Sequence, residues 1–186
     1  DSTRPSMTIS ASEVASGATS NDATLSLTFT SSQATSDFAE TDITLTNGLL
    51  SAFTKSSDTV YTATFTPSTD GDCTVDVAEN TFNDAAGNGN TASQFTWLFD
   101  STRPSMTISA SEVASGATSN DATLSLTFTS SKATTDFAVG DITVTNGSLS
   151  AFTKSSDTVY TATFTPIANG NCTIRVAENT FNDAAG

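Results

Sequence analysis

The chain contains no histidine among its 186 residues. That removes the commonest general base and the commonest metal-ligating side chain. Basic residues are scarce, 6 against 20 acids, and the net charge is −14. A surface of that sign is repelled by nucleic acid and by anionic membranes, so neither is expected as a partner. The charge is uneven: residues 1–99 carry −10 and residues 100–186 carry −4. No apolar run approaches the about 18 residues that a membrane-spanning helix needs, so membrane insertion is not expected. No targeting segment is visible at the N-terminal end, and the chain reads as mature sequence or an internal piece. Only two cysteines occur, Cys73 and Cys172, one repeat apart. Each shares the parity of Val or Ile in an alternating run, Cys73-Thr-Val75-Asp-Val77 and Cys172-Thr-Ile174-Arg-Val176. Both are therefore expected as buried free thiols, since equivalent core positions of two domains stand too far apart to bridge. An intermolecular disulfide is the alternative.

What is present is repetition. The segment DSTRPSMTISASEVASGATSNDATLSLTFTSS opens at Asp1 and again at Asp100, a period of 99 residues. Periods of about 20–50 residues would indicate solenoids or propellers; one near 100 indicates whole domains in tandem. Two domains are therefore expected, residues 1–99 and 100–186. Ser and Thr dominate, and turn residues recur every 8–12 positions or so, the pattern of an all-β sandwich. In the first copy seven strands are predicted: Ser6–Ser10, Thr24–Thr30, Asp42–Thr46, about Leu49–Lys55, Thr59–Thr66, Cys73–Val77 and Gln94–Phe99. The clearest is Thr24–Thr30, where Leu25, Leu27 and Phe29 alternate with Ser and Thr. Asn47-Gly48 reads as a hairpin-type turn. The expected core is Met7, Ile9, Leu25, Leu27, Phe29, Phe38, Ile43, Tyr61, Phe65, Val75, Phe82, Phe95 and Trp97, with their equivalents. The Thr-rich outer faces fit any solvated strand surface; binding of ice or carbohydrate is the sharper alternative.

Differences between the copies concentrate on loops and outer faces. Ser68-Thr-Asp-Gly-Asp72 becomes Ile167-Ala-Asn-Gly-Asn171, Asp76 becomes Arg175, and Glu40-Thr41 becomes Val139-Gly140, while core changes are as mild as Leu45 to Val144. The second copy stops at Gly186, the match of Gly87, and the sequence holds no second version of Asn88–Phe99. Its last strand is expected either to be cut off or to come from elsewhere, since strand donation at an open edge is a known recognition mode.

The motif order is Asp-x-x-x-Pro-x-x-x-Ile, Phe-Ala-x-x-Asp-Ile-Thr-x-Thr-Asn-Gly, Tyr-Thr-Ala-Thr-Phe-Thr-Pro, then Thr-Phe-Asn-Asp-Ala-Ala-Gly-Asn at Thr81–Asn88, then Phe-Thr-Trp. It resembles the bacterial Ig-like repeats strung in tandem through giant cell-surface proteins and adhesins. The resemblance covers the first copy and the second up to its missing strand. It implies an immunoglobulin-like β-sandwich used as an extracellular stalk or spacer, sometimes stiffened by calcium. Trp97 on the last strand and the lack of a cysteine pair across the core depart from antibody-type domains.

Ca²⁺ takes six to eight oxygen ligands. Loop order at a domain junction would gather Asp70 and Asp72 from the first copy and Asp100 from the linker with Asp136, Asp141 and Asp183 from the second. Their mutual repulsion would favour a cation, which makes calcium the one expected cofactor; solvated loop acids are the plainer reading. No contiguous calcium loop is present. Asn146-Gly-Ser and Asn171-Cys-Thr are glycosylation sequons that the first copy lacks, and read as chance. Lys55 and Lys154 precede Ser-Ser-Asp in turns, where an isopeptide crosslink is not expected. Without His, an exposed thiol or a phosphate loop, catalysis is not expected, and Asp70 with Asp72 have no visible cleft to work in. The link from Phe99 to Met106 is short and bears Pro104, which narrows its conformations. Domains about 35–45 Å long would act as spacers, with neighbouring repeats of the same chain as partners. Two rivals stand: a filament or sheath assembled through the open edge near Gly186, and a glycan- or protein-binding module.

Overall fold

The computed structural model describes residues 2–186; Asp1, which opens the first repeat, lies outside the described residues. The chain divides into two compact units, the first closing at Thr102 and the second opening at Arg103.

Unit 1 is a two-sheet sandwich. Its strands are β1 (Met7–Ala11), β2 (Thr19–Ser20), β3 (Leu25–Ser31), β4 (Ile43–Thr46), β5 (Gly48–Lys55), β6 (Val60–Pro67), β7 (Gly71–Val77) and β8 (Ser93–Phe99). One sheet has the order β1-β3-β6-β5 and the other β2-β8-β7-β4. All pairings are antiparallel except β2 with β8, which is parallel. Alternation places the layers: in β3, Leu25, Leu27, Phe29 and Ser31 are buried while Ser26 and Thr30 are exposed. The facing sheet supplies Cys73, Val75 and Val77 from β7 with Phe95 and Trp97 from β8, all 2% exposed or less. Burying each large apolar side chain stabilises the fold by about 1.5–3 kcal/mol. Aromatic rings tile the middle: Phe38 meets Tyr61 edge-on at 5.0 Å and Phe82 at 5.2 Å, and Phe65 meets Trp97 at 4.7 Å. Of the expected core residues, all but Ile43 are buried, and Ile43 packs half-buried against the cluster.

The seven predicted strands are present, with ends shifted by a residue or two, a normal uncertainty at frayed boundaries. Two local expectations are corrected. Asn47-Gly48 is not a hairpin, because β4 pairs with β7 in one sheet and β5 with β6 in the other. The dipeptide carries the chain across the sandwich, and each residue has its own reason. Asn47 takes the left-handed conformation, φ 58°, which Asn tolerates better than most residues. At Gly48 a β-carbon would stand 2.1 Å from the Phe65 ring. The second correction is β2, a two-residue strand too short to show any periodicity.

Unit 2 repeats half of this. Its strands are β9 (Met106–Ala110), β10 (Leu124–Ser130), β11 (Ile142–Thr145), β12 (Gly147–Lys154), β13 (Val159–Pro166) and β14 (Thr173–Val176). The sheet β12-β13-β10-β9 keeps the register of its counterpart, with Leu124 opposite Phe164 as Leu25 is opposite Phe65. Asn146 again has a positive φ of 53°, and a β-carbon on Gly147 would again stand 2.1 Å from a ring, that of Phe164. The facing sheet is reduced to β11-β14. Cys172, Ile174 and Val176 are only half-buried, which corrects the expectation that both thiols are buried; Cys73 is fully enclosed. Both cysteines are free thiols.

Candidate functional site

The chemically dense part of each unit is its loop set, and there the polar side chains hold the loops to one another. Asp37 lies in the β3–β4 loop and Asn83 in the β7–β8 loop. The Asn83 backbone N–H reaches both Asp37 oxygens at 3.0 and 3.2 Å, and its amide donates to Asp37 Oδ2 at 2.9 Å. The Thr35 hydroxyl donates to Oδ1 at 2.7 Å. Thr35 is itself buried, and its carbonyl accepts from the Tyr61 hydroxyl at 3.1 Å. Desolvation is the largest single influence on the Asp37 carboxyl and pushes its pKa up. The donors from Asn83 and Thr35 together outweigh it and hold the pKa below the usual carboxylate value. Unit 2 repeats the pin: Asp136 accepts from Asn182 N–H at 3.0 and 3.2 Å, from its amide at 3.0 Å and from the Thr134 hydroxyl at 2.7 Å. The Asp136 pKa is lowered in the same way, against desolvation.

Two further devices occur in unit 1. Asn90 is fully buried. Its amide oxygen accepts from Thr81 N–H at 2.8 Å and Phe82 N–H at 3.1 Å, and its amide nitrogen donates to the carbonyls of Ala78 at 2.8 Å and Thr91 at 3.0 Å. A buried amide with four partners costs little and fixes its loop. Arg4 closes over it, donating to the carbonyls of Gly89 at 2.8 Å and Asn90 and to Asn80 Oδ1 at 2.8 Å. Asp84 organises the Asn83–Asn88 turn by accepting from Ala86 N–H and Asn88 N–H, both at 2.9 Å, and from the Asn88 amide at 2.8 Å. The Asn88 amide is the main cause of its lowered pKa.

The six carboxylates expected as calcium ligands are distributed as follows within their own units. In unit 1, Asp70 accepts from the backbone N–H of Ser101 at 2.8 Å, its hydroxyl at 2.7 Å and the Thr102 hydroxyl at 2.5 Å. Asp100 accepts from Thr102 N–H at 3.1 Å, and Asp72 is exposed on β7 opposite Leu98. In unit 2, Asp136 makes the pin, and Asp141 accepts from Ala138 N–H at 2.8 Å ahead of β11. Asp183 pairs with Lys132 Nζ at 3.1 Å. Among the described residues no group of three or more His, Cys, Asp or Glu side chains is placed to hold a metal ion. Sequence reasoning missed Asn90, and also Arg4 and the Asp37–Asn83 pair, which join residues 86 and 46 positions apart in the chain. Lys55 and Lys154 pair with Asp58 and Asp157 at 2.8 Å on exposed turns.

Two facing sheets, a chain that crosses between them at Asn47-Gly48, and loops tied by their own carboxylates define an immunoglobulin-like sandwich module. A family model described as bacterial Ig-like domain matches twice, over residues 1–97 and 100–186. The chain belongs to the bacterial Ig-like domain family. Among solved structures it is similar to invasin, described as a bacterial integrin-binding protein, at 22% identity and a TM-score of 0.49, over 94% of this chain and 37% of that one. It is also similar to the N-terminal part of the bacterial S-layer protein SbsC, at 14% identity and a TM-score of 0.35, over 69% of this chain and 41% of that one. The chain thus spans well under half of either structure. No curated protein sequence matches.

Proposed function

We propose that the chain is a non-catalytic spacer, two modules of the stalk of an extracellular bacterial surface protein or adhesin. The observation that carries the reading is the repeated Asp37–Asn83 and Asp136–Asn182 pin. In both units one loop aspartate, Asp37 or Asp136, accepts from the backbone N–H of the neighbouring loop. A loop set built for holding its own shape suits a module whose task is length. The family match, repeated twice, supports the same reading.

The test has two arms. Residues 1–186 are passed over a glycan array and a panel of host surface proteins; no retention is expected, and saturable binding to any of them would sink the spacer reading. Placed between a binding domain and a bead, the two modules are expected to extend the reach of that domain and leave its affinity unchanged. Calcium enters this reading as a stiffener, and thermal unfolding in excess calcium and then in chelator decides it. A reversible rise of several degrees makes the rod ion-dependent; an unchanged midpoint leaves the internal pins to set the loops.

A second reading, assembly by strand donation, draws on the half-exposed Cys172, Ile174 and Val176 of β11-β14's sheet. Their counterparts in unit 1 are covered by β8. Sedimentation over a range of concentrations separates the two: constant mass favours the spacer, and a steady rise favours the filament.

A further inference from the structure

We propose that Asn169-Gly170 in unit 2 is a site of spontaneous deamidation, which turns its carboxamide into the carboxylate that unit 1 carries at the matching place. The proposal stands whether or not the chain is a spacer. An asparagine followed by glycine is the labile arrangement of that residue. Glycine has no side chain to shield its backbone nitrogen or to limit the bend that brings the nitrogen onto the carboxamide. The sequence holds four such pairs, at Asn47, Asn88, Asn146 and Asn169. Folding holds three of them still. The Asn47 amide donates to the Thr69 carbonyl at 2.7 Å, and the Asn146 amide to the Ala168 carbonyl at 2.8 Å. Their glycines, Gly48 and Gly147, lie in strands opposite Pro67 and Pro166. The Asn88 amide donates to Asp84 Oδ2 at 2.8 Å, and Gly89 is bridged to Asn83. Asn169 differs on both counts. It is exposed, and no hydrogen bond to a described residue holds its carboxamide. Gly170 is exposed in a bend, and β14 starts only at Thr173. The matching Gly71 is the first residue of β7 and is paired with Phe99.

The reaction needs only water. The Gly170 backbone nitrogen attacks Asn169 Cγ. The new N–Cγ bond closes a succinimide ring, the Cγ–Nδ2 bond breaks, and Nδ2 leaves as ammonia with the proton from the Gly170 nitrogen. Water then opens the ring at either carbonyl. One opening gives aspartate; the other routes the backbone through the side chain as an isoaspartyl link. Either product adds one negative charge to a chain that carries −14. The first makes the loop match Asp70-Gly71 of unit 1. There Asp70 accepts from Ser101 N–H at 2.8 Å, the Ser101 hydroxyl at 2.7 Å and the Thr102 hydroxyl at 2.5 Å, and so fastens the residues that follow its unit. Unit 2 thus acquires with age an acceptor that unit 1 has from its gene. The loop has a hold that survives the change, because the bond from Asn146 goes to the Ala168 carbonyl and spares the Asn169 side chain.

Timed incubation of the full chain in mildly alkaline buffer tests the site. Base removes the Gly170 N–H proton and speeds ring closure. Samples are digested and each asparagine is followed by fragmentation mass spectrometry. The Asn169 residue should gain about 1 Da, as an amide nitrogen is exchanged for oxygen, with aspartyl and isoaspartyl forms separating on chromatography. Asn47, Asn88 and Asn146 should lag by about tenfold or more, because the fold keeps each amide away from its attacking nitrogen. In guanidinium the four pairs should react at similar rates. Asn169→Ala should abolish the first acidic form seen on native charge separation; this exposed side chain has no bond to lose, so the variant should fold as the parent does. The assignment is overturned if the four pairs react alike in the folded chain, or if another of them leads. It is equally overturned if folded Asn169 is still intact when the unfolded chain has reacted, or if the acidic form persists in Asn169→Ala.

Discussion

The two units are nearly the same sequence, and the largest difference between them lies in one sheet. The sheet β1-β3-β6-β5 and its counterpart β9-β10-β13-β12 share strands, register, the bulge after Ser51 or Ser150, and the fully buried pairs Phe29 and Phe65 or Phe128 and Phe164. The pin between loops is also common to both. The facing sheet has four strands in unit 1 and two in unit 2. Without a partner on its open side, β14 spans four residues where β7 spans seven. The change reaches across the sandwich: Leu25 is fully buried, but its match Leu124 is half-buried, as are Met106 and Val113 where Met7 and Val14 are enclosed. One sheet and the loop pin therefore stand on local and pairwise terms, while closure of the core depends on the last strand.

The strongest way to break the contrast is to supply that strand. Appending a copy of the Asn88–Phe99 sequence after Gly186 should raise the unfolding midpoint of unit 2 by on the order of 10 °C, since each kcal/mol shifts a domain of this size by about 4–8 °C. The Cys172 thiol should then lose reactivity toward a thiol reagent; unchanged midpoint and labelling would show that the sheet closes without it. Next comes a matched pair of truncations. Val75→Ala, at a fully buried site, should cost about 2 kcal/mol in denaturant unfolding, and Ile174→Ala, at a half-buried one, less than half of that despite its larger loss of volume. Equal costs would mean that the two cores are closed alike.

The loop pins should show no contrast. Asp37→Asn and Asp136→Asn should each cost about 1 kcal/mol, the modest figure fitting carboxylates that are largely solvent-exposed. Both carboxyls have folded pKa values below their unfolded value of about 3.9. Their contribution is therefore complete above that value and is lost as pH falls through the folded pKa. Unfolding midpoints of both units should drop together below about pH 4 and do so less in the Asn variants. The smallest expected effect is a titration difference. Glu112 is held at a pKa of about 2, chiefly by the Ser125 hydroxyl at 2.7 Å and then by Ser125 N–H at 2.8 Å. Carboxyl NMR titration should find Glu112 at about 2, and Ser125→Ala should move it upward.

Much of this was readable in the sequence because burial follows a period of two. Leu25, Leu27 and Phe29 announced their strand, and the 99-residue period announced two copies. The parts that escaped have no period. β2 is two residues long, and its register is set by β8, 79 positions away. Asn90 lies in a Gly-Asn-Gly-Asn run that reads as generic turn, and only its four partners show that it is an internal strut. Asn47-Gly48 was legible as a tight change of direction, but the partner of each flanking strand, which decides between hairpin and crossover, lies elsewhere in the chain. Asp136 was expected as a calcium ligand, and its bonds to Asn182 were not foreseen, because that residue sits on a segment 46 residues later.

The bonds that Asp70 makes to Ser101 and Thr102 have a practical consequence for anyone who cuts or recombines such genes. The written repeat begins at Asp100, yet residues 100–102 are fastened to the preceding module. A gene fragment that ends at Phe99 encodes a complete repeat but leaves out the Ser101 and Thr102 groups that donate to the Asp70 carboxylate. The clean seam is the Thr102–Arg103 peptide, and shuffled modules joined there would carry their own closing residues with them.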